Sequence, residues 1–262
     1  MRTLVMKFGG ASVSSTAQFI RIAQIIGERA KDFERLVVVV SAMGNTTDDL
    51  LKMAYEVNDS PPKRELDMLI TVGERISCSL LAMALEKMGL AAISFTGSQS
   101  GVITSDKHNE ARVIEVRPHR LFPHIDKGRV VVVAGFQGVS RQGEITTLGR
   151  GGSDTTAVAL AVALGAERVE FFKDVPGIYA EDPKINPFAH LYKELTHEEA
   201  LSIIKGSQHQ VLHERSIIMA QKNGLSLHIL CFKKGLEKEK SPGTFISGSL
   251  KRDRAPIYEE AQ

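Results

Sequence analysis

The sequence predicts an α/β protein, a three-layer α/β/α sandwich around a mostly parallel central sheet. Three observations lead there. Short runs such as 36–40 and 129–134 are almost wholly apolar and β-branched, as parallel strands covered on both faces require. Between such runs lie segments with apolar residues at helical spacing, for example Phe19, Ile22, Ala23 and Ile26. The two kinds alternate from end to end, which calls for crossover connections of the usual right-handed sense.

Taken in order, Thr3–Phe8 is a buried strand stopped by Gly9-Gly10, and 15–30 is a helix. Residues 36–40 form the second strand and 46–57 the next helix. Pro61-Pro62 breaks the chain before one long helix, 65–88, which Gly89 ends. A strand at 91–95 leads into a Gly- and Ser-rich loop, 96–101. Residues 129–134 are the most apolar strand, and 139–147 reads as a hairpin around Arg141-Gln142-Gly143. An alanine-rich helix, 153–164, precedes a strand at 168–172. Helices at 196–205 and 208–223 and strands at 226–231 and 244–247 complete the domain, placed at residues 1–250. Residues 251–262 form a polar tail, expected to be mobile.

The chain has 262 residues, of which 43% are hydrophobic and 24% charged, ordinary values for one globular domain. Its 33 basic and 31 acidic residues nearly cancel, so nothing asks for nucleic acid or an anionic membrane. The apolar runs are strand-sized, none reads as a membrane span, and no signal peptide opens the chain. Cys78 and Cys231 are read as reduced, buried thiols of a cytoplasmic protein. His209 and His213 lie four apart with no third ligand evident, and read as ordinary residues rather than a metal site.

Open α/β sheets bind ligands beyond the carboxyl ends of their strands. Four unusual segments fall just there: Lys7-Phe8-Gly9-Gly10, Ser41-Ala42-Met43-Gly44, Gly149-Arg150-Gly151-Gly152-Ser153-Asp154 and Asp174-Val175-Pro176-Gly177. Glycines let backbone N–H groups approach an anion, a helix N-terminus adds partial positive charge, and Lys7 adds a full one. Phosphoryl transfer needs such cations and donors around the moving group. Each piece alone has a plainer explanation: a turn, an N-cap at Ser153-Asp154, a solvated lysine. The phosphate loop G-x-x-x-x-G-K-[ST], the dinucleotide fingerprint G-x-G-x-x-G and the nucleophile turn G-x-S-x-G are all absent.

Together the segments resemble the amino-acid kinase family, and within it the aspartate kinases. The likeness runs from Val5 to about Ser247. It rests on the order of the opening 5–13, the loop 39–48, Gly73-Glu74 in a helix, the run 149–157, Asp174-Val175-Pro176-Gly177-Ile178-Tyr179, and Asp182-Pro183. The resemblance implies an amino-acid kinase fold and transfer of a phosphoryl group from ATP, accompanied by Mg²⁺, to L-aspartate. It implies that Lys7 and Asp154 are catalytic. Ser41, Thr47, Glu74, Arg150 and Ser153 would bind the amino acid, Arg150 by its α-carboxylate and Glu74 by its ammonium group. Lys7, Gly9, Gly10, Lys173, Asp174, Tyr179 and Lys184 would surround the nucleotide. No protein side chain is assigned to metal. Another small amino acid as acceptor, or a non-catalytic regulatory homologue, stays open.

Departures from the family pattern are Ala11 for threonine, Lys173 for threonine, Lys184 for arginine, Gln210 for lysine and Glu214 for proline. Lys173 would compensate for the charge missing at Gln210. The ACT regulatory domains that commonly follow the kinase domain, and with them feedback by lysine or threonine, are expected to be absent. A homodimer is common in the family.

Overall fold

The computed structural model describes residues 1–181, 183, 185–186, 188–206, 211–233, 242–247 and 255–260. Strand β1 (Thr3–Phe8) is followed by α1 (Thr16–Arg29), β2 (Arg35–Val40), α2 (Thr46–Val57), α3 (Lys63–Ile70) and α4 (Val72–Lys87). Then come β3 (Ala92–Phe95), β4 (Val102–Thr104), β5 (Val113–Val116), α5 (Phe122–Ile125), β6 (Val130–Ala134), β7 (Gln137–Ser140), β8 (Ile145–Thr147) and α6 (Gly152–Ala163). The chain continues through β9 (Arg168–Lys173), β10 (Glu194–Thr196), α7 (His197–Gly206), α8 (Glu214–Lys222), β11 (Ser226–Cys231) and β12 (Thr244–Ser247).

Among the described residues, eight strands form the central sheet in the order β10-β12-β11-β9-β1-β2-β6-β3. The run from β11 to β3 is parallel, and β12 turns antiparallel to β11. Strand alternation sorts its side chains into two cores. Val5, Val37, Val39, Val131, Val133, Val169 and Phe171 pack on one face with α6, α7 and α8. Leu4, Met6, Phe8, Leu36, Val38, Val40, Val130 and Val132 pack on the other with α1 and α4. The predicted three layers are therefore present. Phe8 and Phe172, neighbours on adjacent strands, stack with centroids 4.6 Å apart.

Several elements differ from the sequence reading. The single helix expected at 65–88 is two helices meeting at Thr71, whose carbonyl accepts a hydrogen bond from Gln137 Nε2 at 3.0 Å. Thr71 Oγ1 donates to the Met68 carbonyl at 3.2 Å, a side-chain bond that competes with the regular ladder at the junction. The run Lys63–Lys87 is also long and apolar enough to pass for a membrane span, contrary to expectation. Half of its most apolar window is buried, and α4 packs on α1, β3 and β6 as a core helix. A second sheet, β5-β4-β7-β8, was foreseen only as the hairpin β7–β8. Its other strands are three and four residues long, too short for a period-two pattern to register. The helix expected at 208–223 begins at Glu214, with residues 207–210 outside the described set. Residues 255–260 lie against the domain instead of hanging free: Glu259 N donates to Val113 O at 2.9 Å. Cys78 and Cys231 are buried free thiols, and burial pushes the Cys78 thiol up to about 11.

Candidate active site

Parity in the strands sets the first two charges. Val5 and Lys7 in β1, and Phe171 and Lys173 in β9, point to the face that α6 covers. β1 and β9 are paired, so both lysines reach the start of α6 at the carboxyl end of the sheet. Asp154, in the first turn of α6, meets them. Lys7 Nζ lies 2.6 Å from Asp154 Oδ1, and Lys173 Nζ donates to Oδ2 at 2.9 Å. The Lys7 and Asp154 side chains are each only 6% exposed. Burial would raise the Asp154 carboxyl, but Lys173 and Lys7 reverse this and hold it well below the usual carboxylate range. Burial lowers the Lys7 ammonium to about 8, against the pull of Asp154 and with the repulsion of Lys173. Ser153-Asp154 is not an N-cap: that position is Gly151, and no side chain caps it.

The glycine run before α6 adopts backbone that side chains resist. Gly149 and Gly151 have φ of 71° and 72°. A Cβ on Gly151 would lie 2.3 Å from the Cβ of His213, so the loop presses directly on the start of α8. His213 therefore has a place that the sequence reading missed: it N-caps α8, Nδ1 accepting from Arg215 N at 3.4 Å. His209 lies outside the described residues.

Glu74 comes from the first turn of α4. Gly73 lets that helix close on the loop after β2, since a Cβ there would sit 2.7 Å from Ala42 Cβ. Ala42 N then donates to Glu74 Oε1 at 3.0 Å. Glu74 is 3% exposed, which excludes a solvated surface charge. Its Oε2 is buried and has no partner among the described residues. Burial raises this carboxyl to about 7, against the Ala42 hydrogen bond and the Lys7 charge.

These groups border one open cavity of about 360 Å³. Of the residues picked out from sequence, Lys7, Gly10, Ser41, Thr47, Glu74, Arg150, Ser153, Asp154 and Lys173 line it. Arg150 is exposed and makes no hydrogen bond or ion pair with any described residue. Gly9 lies just behind; a Cβ there would be 3.5 Å from Lys7 Nζ. Asp174 and Tyr179 lie outside the lining, Asp174 exposed and Tyr179 bridged to Leu191. Lys184 and Gln210 fall outside the described residues, so Lys173 is seen only against Asp154. Phe136 was not anticipated. It lines the cavity with φ of 70°, a strained value for a bulky side chain that no residue pattern signals.

Residues 2–231 match the model of the amino acid kinase family. The chain belongs to that family. Within the family it is 48% identical over 252 residues to the aspartokinase of Mycobacterium tuberculosis, and 46% identical to that of Corynebacterium glutamicum. These alignments take in 96% and 95% of the chain. The chain spans about 58% of the length of these curated relatives. The aspartate kinase structure from Synechocystis superposes with a TM-score of 0.84 at 40% identity, covering 99% of this chain and 42% of that one. Aspartokinase III of E. coli, in complex with aspartate and ADP, gives 0.83 at 25% identity, with 95% of this chain and 65% of that one covered. A UMP kinase from Bacillus anthracis shares the fold, with a TM-score of 0.68 at 18% identity.

Proposed function

We propose that this family member transfers the γ-phosphoryl group of ATP to the side-chain carboxylate of L-aspartate, giving 4-phospho-L-aspartate and ADP for amino-acid biosynthesis in the cytoplasm. One observation carries the reading. A buried carboxylate with an unpartnered oxygen, Glu74 Oε2, and an unpaired guanidinium, Arg150, border the same cavity as the Lys7–Asp154–Lys173 cluster. An α-amino acid supplies the missing partners: its ammonium group for Glu74 and its α-carboxylate for the planar fork of Arg150. An N-acylated amino acid brings no charge for Glu74. The aspartokinases among the relatives, and the aspartate and ADP of the E. coli complex, support the same choice.

The acceptor side-chain carboxylate is ionised at neutral pH, so it attacks the γ-phosphorus without a general base. An oxygen–phosphorus bond forms, the bond to the β,γ-bridging oxygen breaks, and ADP departs with that electron pair. Lys7 and Lys173 neutralise charge on the transferring group, while Asp154 holds both ammonium groups apart and in place. Gly9 and Gly10 offer backbone beside Lys7, and Ser41, Thr47 and Ser153 offer hydroxyls. Asp174 and Tyr179, outside the cavity lining, are assigned to the nucleoside, and the family resemblance adds Lys184 to them. Mg²⁺ bound with ATP would supply charge neutralisation on the phosphates. Asp154 is already committed to two lysines, so Mg²⁺ would be held by phosphate oxygens and water rather than by that carboxylate.

The test is ATP- and Mg²⁺-dependent acyl phosphate formation, trapped with hydroxylamine, across L-aspartate, L-glutamate and N-acetylglutamate. Signal with L-aspartate alone, abolished in Arg150→Ala, is expected. Signal only with another acceptor would move the substrate within the family. Silence with every acceptor, despite measurable nucleotide binding, would overturn the catalytic reading.

A further inference from the structure

The segment 255–260 is fastened at three points. Asn223 Nδ2 donates to Ile257 O and Ile257 N donates to Asn223 Oδ1, both at 2.8 Å. Tyr258 packs against the core beside Arg215, Ile218 and Met219 of α8, and burial pushes its phenol up to about 12. Glu259 pairs its backbone with Val113 and also accepts Val113 N at Oε2 at 2.9 Å.

The Glu259 side chain, 13% exposed, then takes a two-pronged grip on Arg215 of α8: Nε to Oε1 at 2.6 Å and Nη2 to Oε2 at 2.8 Å. Arg215 also donates to two carbonyls. Nη2 also reaches Ala111 O at 3.0 Å, and Nη1 donates to Leu148 O. Leu148 is the residue immediately before Gly149-Arg150. His213, two residues ahead of Arg215, closes on Gly151 from the other side. The loop carrying Arg150 has left-handed glycines on both sides of it, so its own backbone preference holds it weakly. Its position comes from outside, and a planar fork aligned by one carboxylate fixes the carbonyl that it grips.

We propose that Glu259 is a positioning residue for the acceptor site: through Arg215 and the Leu148 carbonyl, the segment 255–260 is a strap that sets the loop bearing Arg150. The proposal rests on the reading of Arg150 as the amino-acid clamp. Among the described residues neither Glu259, Arg215 nor Leu148 makes a hydrogen bond or ion pair with Lys7 or Lys173, whose partner is Asp154, so the strap is placed to act on the acceptor more than on ATP.

Two measurements on the whole chain test this. In steady-state kinetics, Glu259→Ala is expected to raise the KM for the amino acid on the order of tenfold, the size seen when a packed network is loosened. The KM for ATP and kcat should stay within about twofold, since uniform binding is what is lost. Glu259→Gln, which keeps shape and loses charge, should fall between, and the exposed neighbour variant Glu260→Gln should match the parent. In substrate-free protein, hydrogen exchange of peptides spanning 148–153 should quicken in Glu259→Ala while peptides over β1 and β9 do not change. That second readout needs no acceptor and no activity, so it separates failure of the strap from failure of the proposed reaction. Unchanged exchange at 148–153, or an equal rise in both KM values with a lowered melting temperature, would overturn the proposal. If Glu259→Ala does not fold, Glu259→Gln carries both tests.

Discussion

Replacing Glu74 by glutamine should stabilise the empty protein while disabling it. The carboxyl sits at about 7 in the folded chain against an ordinary 4.5, because burial disfavours its charge. The sign follows from proton counting. Below 4.5 both folded and unfolded chains carry the proton and ionisation costs nothing. As pH rises from 4.5 to about 7, the unfolded chain releases the proton first, so folding stability is lost across that window and then levels off. The ceiling is about 3 kcal/mol, the free energy of moving the carboxyl from 4.5 to about 7. Glutamine keeps an acceptor for Ala42 N and carries no charge, so it escapes this cost. Urea titrations of parent and Glu74→Gln at about pH 5 and about pH 8 should show the variant more stable by about 1 and about 3 kcal/mol respectively. The same variant should lose roughly a hundredfold in kcat/KM for the acceptor, as an ion pair with its ammonium disappears. A stability difference that does not grow with pH, or a variant less stable at about pH 8, would refute the argument that a desolvated, unpartnered charge is held there for a ligand.

Arg150→Lys should raise the acceptor KM by roughly a hundredfold while ATP binding, followed by titration calorimetry, stays unchanged, because a point charge cannot replace the fork. Asp154→Asn leaves two ammonium groups facing each other without their carboxylate. It should cost about 3–5 kcal/mol in chemical denaturation, and Lys173→Met in the same chain should restore part of that loss. Lys173→Thr should raise the KM for ATP by about tenfold, the effect of removing one charged hydrogen-bond donor, and leave the acceptor KM alone; an unchanged ATP constant would remove Lys173 from the phosphate site.

The sequence by itself determined the layers and the ends at which chemistry sits. Strand runs such as 36–40 are apolar at every position because both sheet faces are covered, and that pattern is local and readable. The glycine runs marked where backbone must turn close to a ligand, whereas bringing Lys7 beside Lys173 took the pairing of β1 with β9. What lies between distant segments was not readable. Glu74 and a solvated helix carboxylate look alike in a string; the difference is the approach of Ala42, which depends on how α4 docks on the loop after β2. Taken alone, Asp154 at a helix start reads as a cap as readily as a catalytic group; the two lysines from separate strands that close on it are visible only in the fold. His213 and Phe136 carry no periodic signal, since their roles come from contacts with Gly151 and Gly152. The tail read as mobile because its composition is polar, yet Glu259 finds its partner 44 residues back, on α8. Local composition fixes the periodicity of each element, whereas burial and pairing of charges are properties of surfaces that meet only when the chain is folded.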